Sequence, residues 1–182
     1  FIEYFIIAPG KMWNEFLEIL IERARAGVEV RLMYDGFGTK FFSTGDFLKI
    51  AKQHHIQCRC FNPFRPLLSS AQNNRDHRKI LVIDGNIAFN GGTNLADEYI
   101  NEKVRFGHWK DTAIMLEGAA VWSYTMMFLQ LWNMNNPNRK EAYDQYRPTY
   151  LPKQTNGGFI QPYGDSPVQD DVKGVMVYLD LI

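Results

Sequence analysis

The chain has 182 residues, 46% of them hydrophobic and 14% aromatic. That is enough apolar mass to fill the core of one domain, or of one domain plus part of another, and it excludes a disordered chain. Lys plus Arg and Asp plus Glu both number 20, so no net charge drives binding to nucleic acid or to acidic membranes, although a local patch remains open. Cys58 and Cys60 are the only cysteines. Two apart on a predicted strand, they share a face and do not bridge readily, and neither a disulfide framework nor a CxxC zinc site is present.

In chain order, FIEYFIIAPG reads as a strand and turn. MWNEFLEILIERARAG carries a helical stripe of Trp13, Phe16, Leu17, Leu20 and Ile21, with Gly27 as C-cap. VEVRLMYDGFG alternates and then turns apolar, as a buried strand does. Ser43 or Thr44 caps a predicted helix through FLKIAKQHH, and a short strand follows around IQCRCF. The order β-α-β-α-β predicts an α/β fold, with a mixed, largely parallel β-sheet flanked by helices.

FNPFRPLLSSAQNN is a loop, yet it holds Phe61, Phe64, Leu67 and Leu68. Those side chains either cover the edge of the core or dip into a bilayer, with Arg65 beside them for a lipid phosphate. A hairpin follows: RKILVI, an Asp84-Gly85 turn, then NIAFN. WKDTAIMLEG reads as another strand and GAAVWSYTMMFLQLWN as a long helix. Its Met126, Met127, Leu129 and Trp132 form a stripe suited to a core more than to a lipid groove. The expected domain organisation is a first domain over 1–134, a linker or meandering surface segment over 135–171, and the start of a second, truncated domain over 172–182.

There is no signal peptide pattern and no clean apolar run of transmembrane length. The nearest candidate, Ala113 to Trp132, is interrupted by Glu117, Gly118 and Gln130. The chain opens on Phe1 and closes inside the apolar run VMVYLDLI, so it reads as a piece of a longer protein.

The chemistry concentrates in DHRKILVIDGNIAFNGGTN, from Asp76 to Asn94. On an extended chain His77 and Lys79 point to one face, about 6–7 Å apart, a spacing that suits two groups gripping one phosphate. A neutral imidazole can attack phosphorus, and an ammonium offers a point charge to the non-bridging oxygens. Gly91 and Gly92 let backbone approach a ligand without a Cβ in the way. Asn94 can donate its amide N–H to the same oxygens. Asp84 is as well explained by the turn it opens as by chemistry. His54-His55 lacks a third ligand at metal spacing and reads as surface or capping residues.

The pattern His77-x-Lys79-x4-Asp84-x6-Gly91-Gly92-x-Asn94 resembles the HKD signature of the phospholipase D superfamily. With the flanking GVEVRLMYDGFGT and GHWKDTAIMLEGAAVWSYTMMFLQLWN, the stretch from Phe1 to Asn133 resembles the first catalytic half of a bacterial cardiolipin synthase, and VYLDLI resembles the start of the second. The resemblance implies a phospholipase D-like half-domain that transfers a phosphatidyl group from one phosphatidylglycerol to another, releasing glycerol. It implies His77 as nucleophile through a phosphohistidine, or as the acid/base partner of such a nucleophile. Lys79 and Asn94 would bind phosphate, and Asp111 would orient His77 through its other ring nitrogen. Gly92 replaces a serine common in the superfamily and commonly glycine in the cardiolipin synthase branch. No metal or organic cofactor is implied.

The implied partners are a phospholipid, the cytoplasmic face of a cell membrane, and a second HKD motif. The chain holds one such motif. His108-Trp109-Lys110 mimics the start of another, but position 115 is Met and no glycine pair follows. A protonated group must assist the departing glycerol alkoxide, so the second histidine is expected from a second half or a second copy. The alternatives are a dimeric single-motif phosphodiesterase acting on nucleic acid, disfavoured because no Lys/Arg stripe lies near the motif, and a half-domain inactive by itself.

Overall fold

The structure, a computed structural model, describes residues 1–39, 44–63, 74–134, 141–150, 152, 159–165, 176 and 179. Among the described residues the strands and longer helices run in the order β1 (Ile2–Tyr4), α1 (Lys11–Arg25), β2 (Arg31–Asp35), α2 (Thr44–Gln53), β3 (Gln57–Phe61), β4 (Ile80–Ile83), β5 (Ile87–Gly91), β6 (Ala113–Glu117) and α3 (Val121–Asn133). Short 3₁₀ turns occupy Asp97–Ile100 and Tyr143–Tyr146. One sheet runs β3-β2-β1-β4-β5-β6. β1, β2 and β3 are parallel, with Ile2 opposite Leu32 and Leu32 opposite Cys58. β4 lies antiparallel to β1, with Glu3 opposite Ile80. The sheet is therefore mixed, and it is less parallel than the β-α-β-α-β order predicts, because β4 enters beside β1 in the antiparallel sense. No helix among the described residues is long and apolar enough to cross a membrane.

The chain divides into two compact units, Phe1–Leu81 with Phe89–Ile114, and Val82–Ala88 with Met115–Ile182. In the first, every residue of β2 is buried. Ile2, Leu32 and Tyr34 share a core with Trp13, Leu17 and Leu20 of α1 and with Phe47 and Ala51 of α2. Trp13 and Phe47 meet edge to face, 5.0 Å between centroids. Helix α1 stops where its C-terminal glycine requires. Gly27 takes φ +91, and the amides of Gly27 and Val28 return to the carbonyls of Ala24 and Arg23, a Schellman closure.

The N-terminus of α1 has no side-chain cap of its own, since Gly10 stands there. Asp97 supplies one from far along the chain: its carboxylate accepts from Lys11 N at 3.1 Å and Met12 N at 3.0 Å. A Cβ on Gly10 would fall 2.3 Å from that carboxylate. Helix α2 ends at Gln53 rather than continuing through the two histidines, because His55 adopts φ +59 and turns the chain into β3. The predicted cap at Ser43 or Thr44 lies outside the described side chains.

In the second unit, Asp84 and Gly85 both take positive φ, 52 and 67, and Asn86 N donates to Ile83 O. These are the features of a type I′ hairpin turn. The carbonyl Oδ1 of Asn86 accepts from the amides of Thr149 and Tyr150 at 2.8 and 3.0 Å. Helix α3 buries Leu129 and Trp132, and Met126 and Met127 are half-buried. Asn133 and Tyr146 both bond Glu141, so residues 141–150 are ordered against α3 and the turn. Of the predicted start of a further domain, only Met176 and Leu179 are described.

Candidate active site

His77 and Lys79 stand on the extended approach to β4, which begins at Ile80. Alternation along that approach sends both to one side. Lys79 Nζ lies 3.1 Å from His77 Nδ1 and donates to His77 O at 2.5 Å. The imidazole is exposed, while Lys79 is buried. Phe5, just past β1, holds them from behind. Its ring lies 4.0 Å from the His77 ring at 31°, and the ammonium sits 5.5 Å from the Phe5 centroid. Burial first, and then the Lys79 charge, hold His77 below its usual pKa against the opposing pull of Asp35 and Asp76. Burial lowers Lys79 as well, offset by Asp76 and Asp111.

The glycine pair is drawn to the same place by β5, where Asn90 Nδ2 donates to Lys79 O at 3.0 Å. Gly92 has no room for a side chain: a Cβ there would lie 2.4 Å from Asp111 Oδ1. Asn94 is 3% exposed and its amide is committed on both sides. Oδ1 accepts from Ile6 N at 3.0 Å and Nδ2 donates to Tyr99 OH at 2.8 Å, which leaves one N–H of the amide group without a described partner.

Asp111 sits just before β6. Its carboxylate accepts from Trp109 Nε1 at 3.0 Å and Thr112 N at 2.8 Å. The Trp109 bond is the main reason its pKa lies below the ordinary value. No hydrogen bond joins it to the His77 ring, whose described ring hydrogen-bond partner is Lys79. Asp84 belongs to the hairpin turn of the other unit, where its backbone conformation accounts for its presence. Cys58 and Cys60 are free thiols, pushed up to about 12 and about 11 by burial, and contribute nothing reactive.

Residues that the motif does not include support it. Asp35, fully buried, accepts from Phe37 N at 2.7 Å and Gly38 N at 3.0 Å through Oδ1 and from Asp76 N at 3.1 Å through Oδ2. It thereby pins the residue before His77. Asp76 bonds Arg78 Nε at 3.0 Å, and Arg78 Nε also lies 2.6 Å from Glu3 Oε1. Burial, and then Asp76, raise Glu3 well above its usual pKa. This charged lattice lies on the sheet face opposite His77 and Lys79, since Glu3 pairs with Ile80 and Arg78 alternates with its neighbours. The Asp-Gly after a buried strand was the one sequence signal for Asp35, as an Asx turn. A cavity of about 370 Å³ is lined by Phe5 and, among others, by Ile7, Pro9, Phe37, Lys103 and Arg105.

The family model described as "Cardiolipin synthase, PLD-like domain" matches residues 2–132. Over all 182 residues the chain is 48% identical to an uncharacterized protein of Streptococcus mutans, covering 39% of that protein. It is 35% identical to a cardiolipin synthase of Geobacillus kaustophilus over 92% of the chain and 33% of the relative. It is 36% identical to cardiolipin synthase 2 of Staphylococcus epidermidis over 87% of the chain and 32% of the relative. The chain thus spans about a third of the length of these relatives. NucT from Helicobacter pylori superposes with a TM-score of 0.53 at 12% identity, covering 72% of this chain and 77% of that one, a likeness of fold alone. The α/β architecture, the matched span and these relatives agree: the chain belongs to the family of cardiolipin synthase, phospholipase D-like domains.

Proposed function

We propose that the chain carries the first catalytic half of a phosphatidyltransferase that makes cardiolipin and glycerol from two phosphatidylglycerols. The observation that carries this reading is the exposed imidazole of His77 with the buried ammonium of Lys79 3.1 Å from its Nδ1. Around them stand a glycine pair and a buried amide. In the first step an unprotonated His77 Nε2 attacks phosphorus. The P–N bond forms, the P–O bond to the glycerol breaks, and a second histidine protonates the leaving alkoxide. In the second step that histidine takes the proton of a phosphatidylglycerol hydroxyl. The oxygen attacks phosphorus, the P–N bond breaks and His77 is restored. Lys79 and the spare N–H of Asn94 hold the non-bridging oxygens. Asp111, whose charge reaches Lys79, supports the site electrostatically.

The second histidine comes from a second motif, in a further half-domain or in a second copy, and the reaction runs at the cytoplasmic membrane surface. The test is to measure phosphatidylglycerol turnover by the chain alone and mixed with the complementary half of the longer relatives. Turnover is expected only in the mixture, with His77→Asn reducing it by at least about a thousandfold and abolishing the acid-labile phosphoenzyme. Full turnover by the chain alone, or cleavage of DNA in place of lipid, would overturn the reading.

A further inference from the structure

The segment Asn101–Trp109 closes on itself. Asn101, at φ +60, donates from Nδ2 to Trp109 O at 3.0 Å and accepts from Trp109 N at 2.6 Å through Oδ1. The side-chain clamp fixes the base and leaves the tip, Lys103–His108, exposed. Two tip residues are large and apolar: Val104 is 81% exposed and Phe106 70%. Among the described residues up to Met134, no other large apolar side chain exceeds 56%. Cations alternate with them. Lys103 and Arg105 flank Val104, Arg105 lies 4.9 Å from the Phe106 ring and 3.0 Å from Glu98, and Lys110 follows.

Large apolar side chains grouped at one exposed tip and rimmed by polar groups mark an interaction surface. A tip of two apolar residues between cations complements an anionic lipid surface, whose phosphates take the cations and whose acyl boundary takes the apolar groups. The base of the loop also runs into the site: Trp109 packs on Tyr99 at 4.8 Å between centroids, Tyr99 bonds Asn94, and Trp109 bonds Asp111. Lys103 and Arg105 line the same cavity as Phe5.

We infer that the Lys103–Phe106 tip inserts into the headgroup region of an anionic bilayer and sets the cavity beside Phe5 against it. The inference rests on the phospholipid reading for its choice of partner, but not on any step of catalysis.

The test is flotation of the full chain with large vesicles of phosphatidylglycerol and phosphatidylcholine in equal parts, against phosphatidylcholine alone. Binding is expected to the anionic vesicles and to fall with added salt. The double variant V104S/F106S should bind at least about tenfold more weakly, from loss of the apolar insertion, with its melting temperature unchanged because both side chains are already in water. K103Q should weaken binding less and flatten the salt dependence. If V104S/F106S floats like the unaltered chain, or changes self-association and not flotation, the tip is not a lipid anchor. H77N separates the two claims, since it must float normally. For the unaltered chain, normal flotation with no phosphatidyl transfer in the mixed-halves assay would refute the enzymatic reading and leave the loop standing, whereas loss of transfer in H77N alone is what that reading expects.

Discussion

Asn94 can be tested against its own motif. A residue whose task is to grip phosphate is expendable for stability, whereas the structure gives Asn94 two internal bonds. Replacing it with leucine keeps the volume and removes both. The Ile6 N–H loses its acceptor in a part-buried position, which costs about 1–3 kcal/mol, and loss of the Tyr99 bond adds about 0.5–1.5 kcal/mol. The sum, about 1.5–4.5 kcal/mol, lowers the melting temperature of a chain this long by roughly 3–18 °C. Tyr99→Phe removes the second bond alone and should cost about 0.5–1.5 kcal/mol. Asn94→Asp keeps the acceptor for Ile6 and should fall between them. Thermal and urea unfolding by circular dichroism report all three. If Asn94→Leu costs no more than Tyr99→Phe, the bond to Ile6 contributes nothing, and the claim that this amide fastens the end of β1 to the glycine segment is wrong.

Two further outcomes are expected. Asp97→Ala removes the acceptor of both Lys11 N and Met12 N with no side chain at Gly10 to replace it. It should destabilise by about 1–2 kcal/mol, with Asp97→Asn milder, and an unchanged melting temperature would show that the remote cap is idle. His77, followed by ¹⁵N NMR, should titrate below 6.5 with its hydrogen on Nε2, and Lys79→Met should raise its pKa by removing the second cause of the depression. The unfolded chain binds a proton at His77 before the folded one does. The contribution of this residue to stability is therefore full above about pH 6.5 and declines as pH falls through that value towards the folded pKa. A His77 that titrates above 6.5 contradicts the arrangement.

How much of this was legible in the sequence depends on whether a contact has a period. His77 and Lys79 share a side because an extended chain alternates every second residue, and that alternation is visible in HRKILVI. The Asp84-Gly85 turn and the Gly27 cap are local backbone chemistry, visible for the same reason. Asp97 capping α1 across 86 residues, Asn94 reaching Ile6 across 88 and Asp35 pinning Asp76 across 41 have no period, and only the folded chain brings them together. The loop FNPFRPLL, which pattern reading leaves open between the edge of the core and a bilayer, has residues 64–68 outside the described ones. The exposed tip was passed over because HWK was weighed as a false second motif. Its meaning lies in the pair of bonds between Asn101 and Trp109, which composition does not reveal.

The contact between Lys79 and His77 bears on how such a site is switched on. An ammonium has only hydrogens to give, so at 3.1 Å it makes Nδ1 the acceptor and leaves the ring hydrogen on Nε2. Attack on phosphorus from Nε2 needs the other tautomer. While Lys79 stays between Nδ1 and the His77 carbonyl, the imidazole is therefore held inert, even though burial and the neighbouring charge keep it neutral. In the proposed reaction a phosphodiester oxygen competes for the same ammonium. Drawing Lys79 onto the phosphate removes the donor from Nδ1 and screens the charge that depresses the ring. Asp35 and Asp76, which pull the other way, are then opposed by burial alone. The proton can then rest on Nδ1, the Nε2 lone pair is released, and the ring becomes a stronger base when its substrate is in place. In the proposed reaction one lysine would thus bind the substrate and withhold the nucleophile until it had done so. A free imidazole with a distant lysine could not be guarded in this way, which is a physical reason for the two to stand two residues apart on one side of an extended chain.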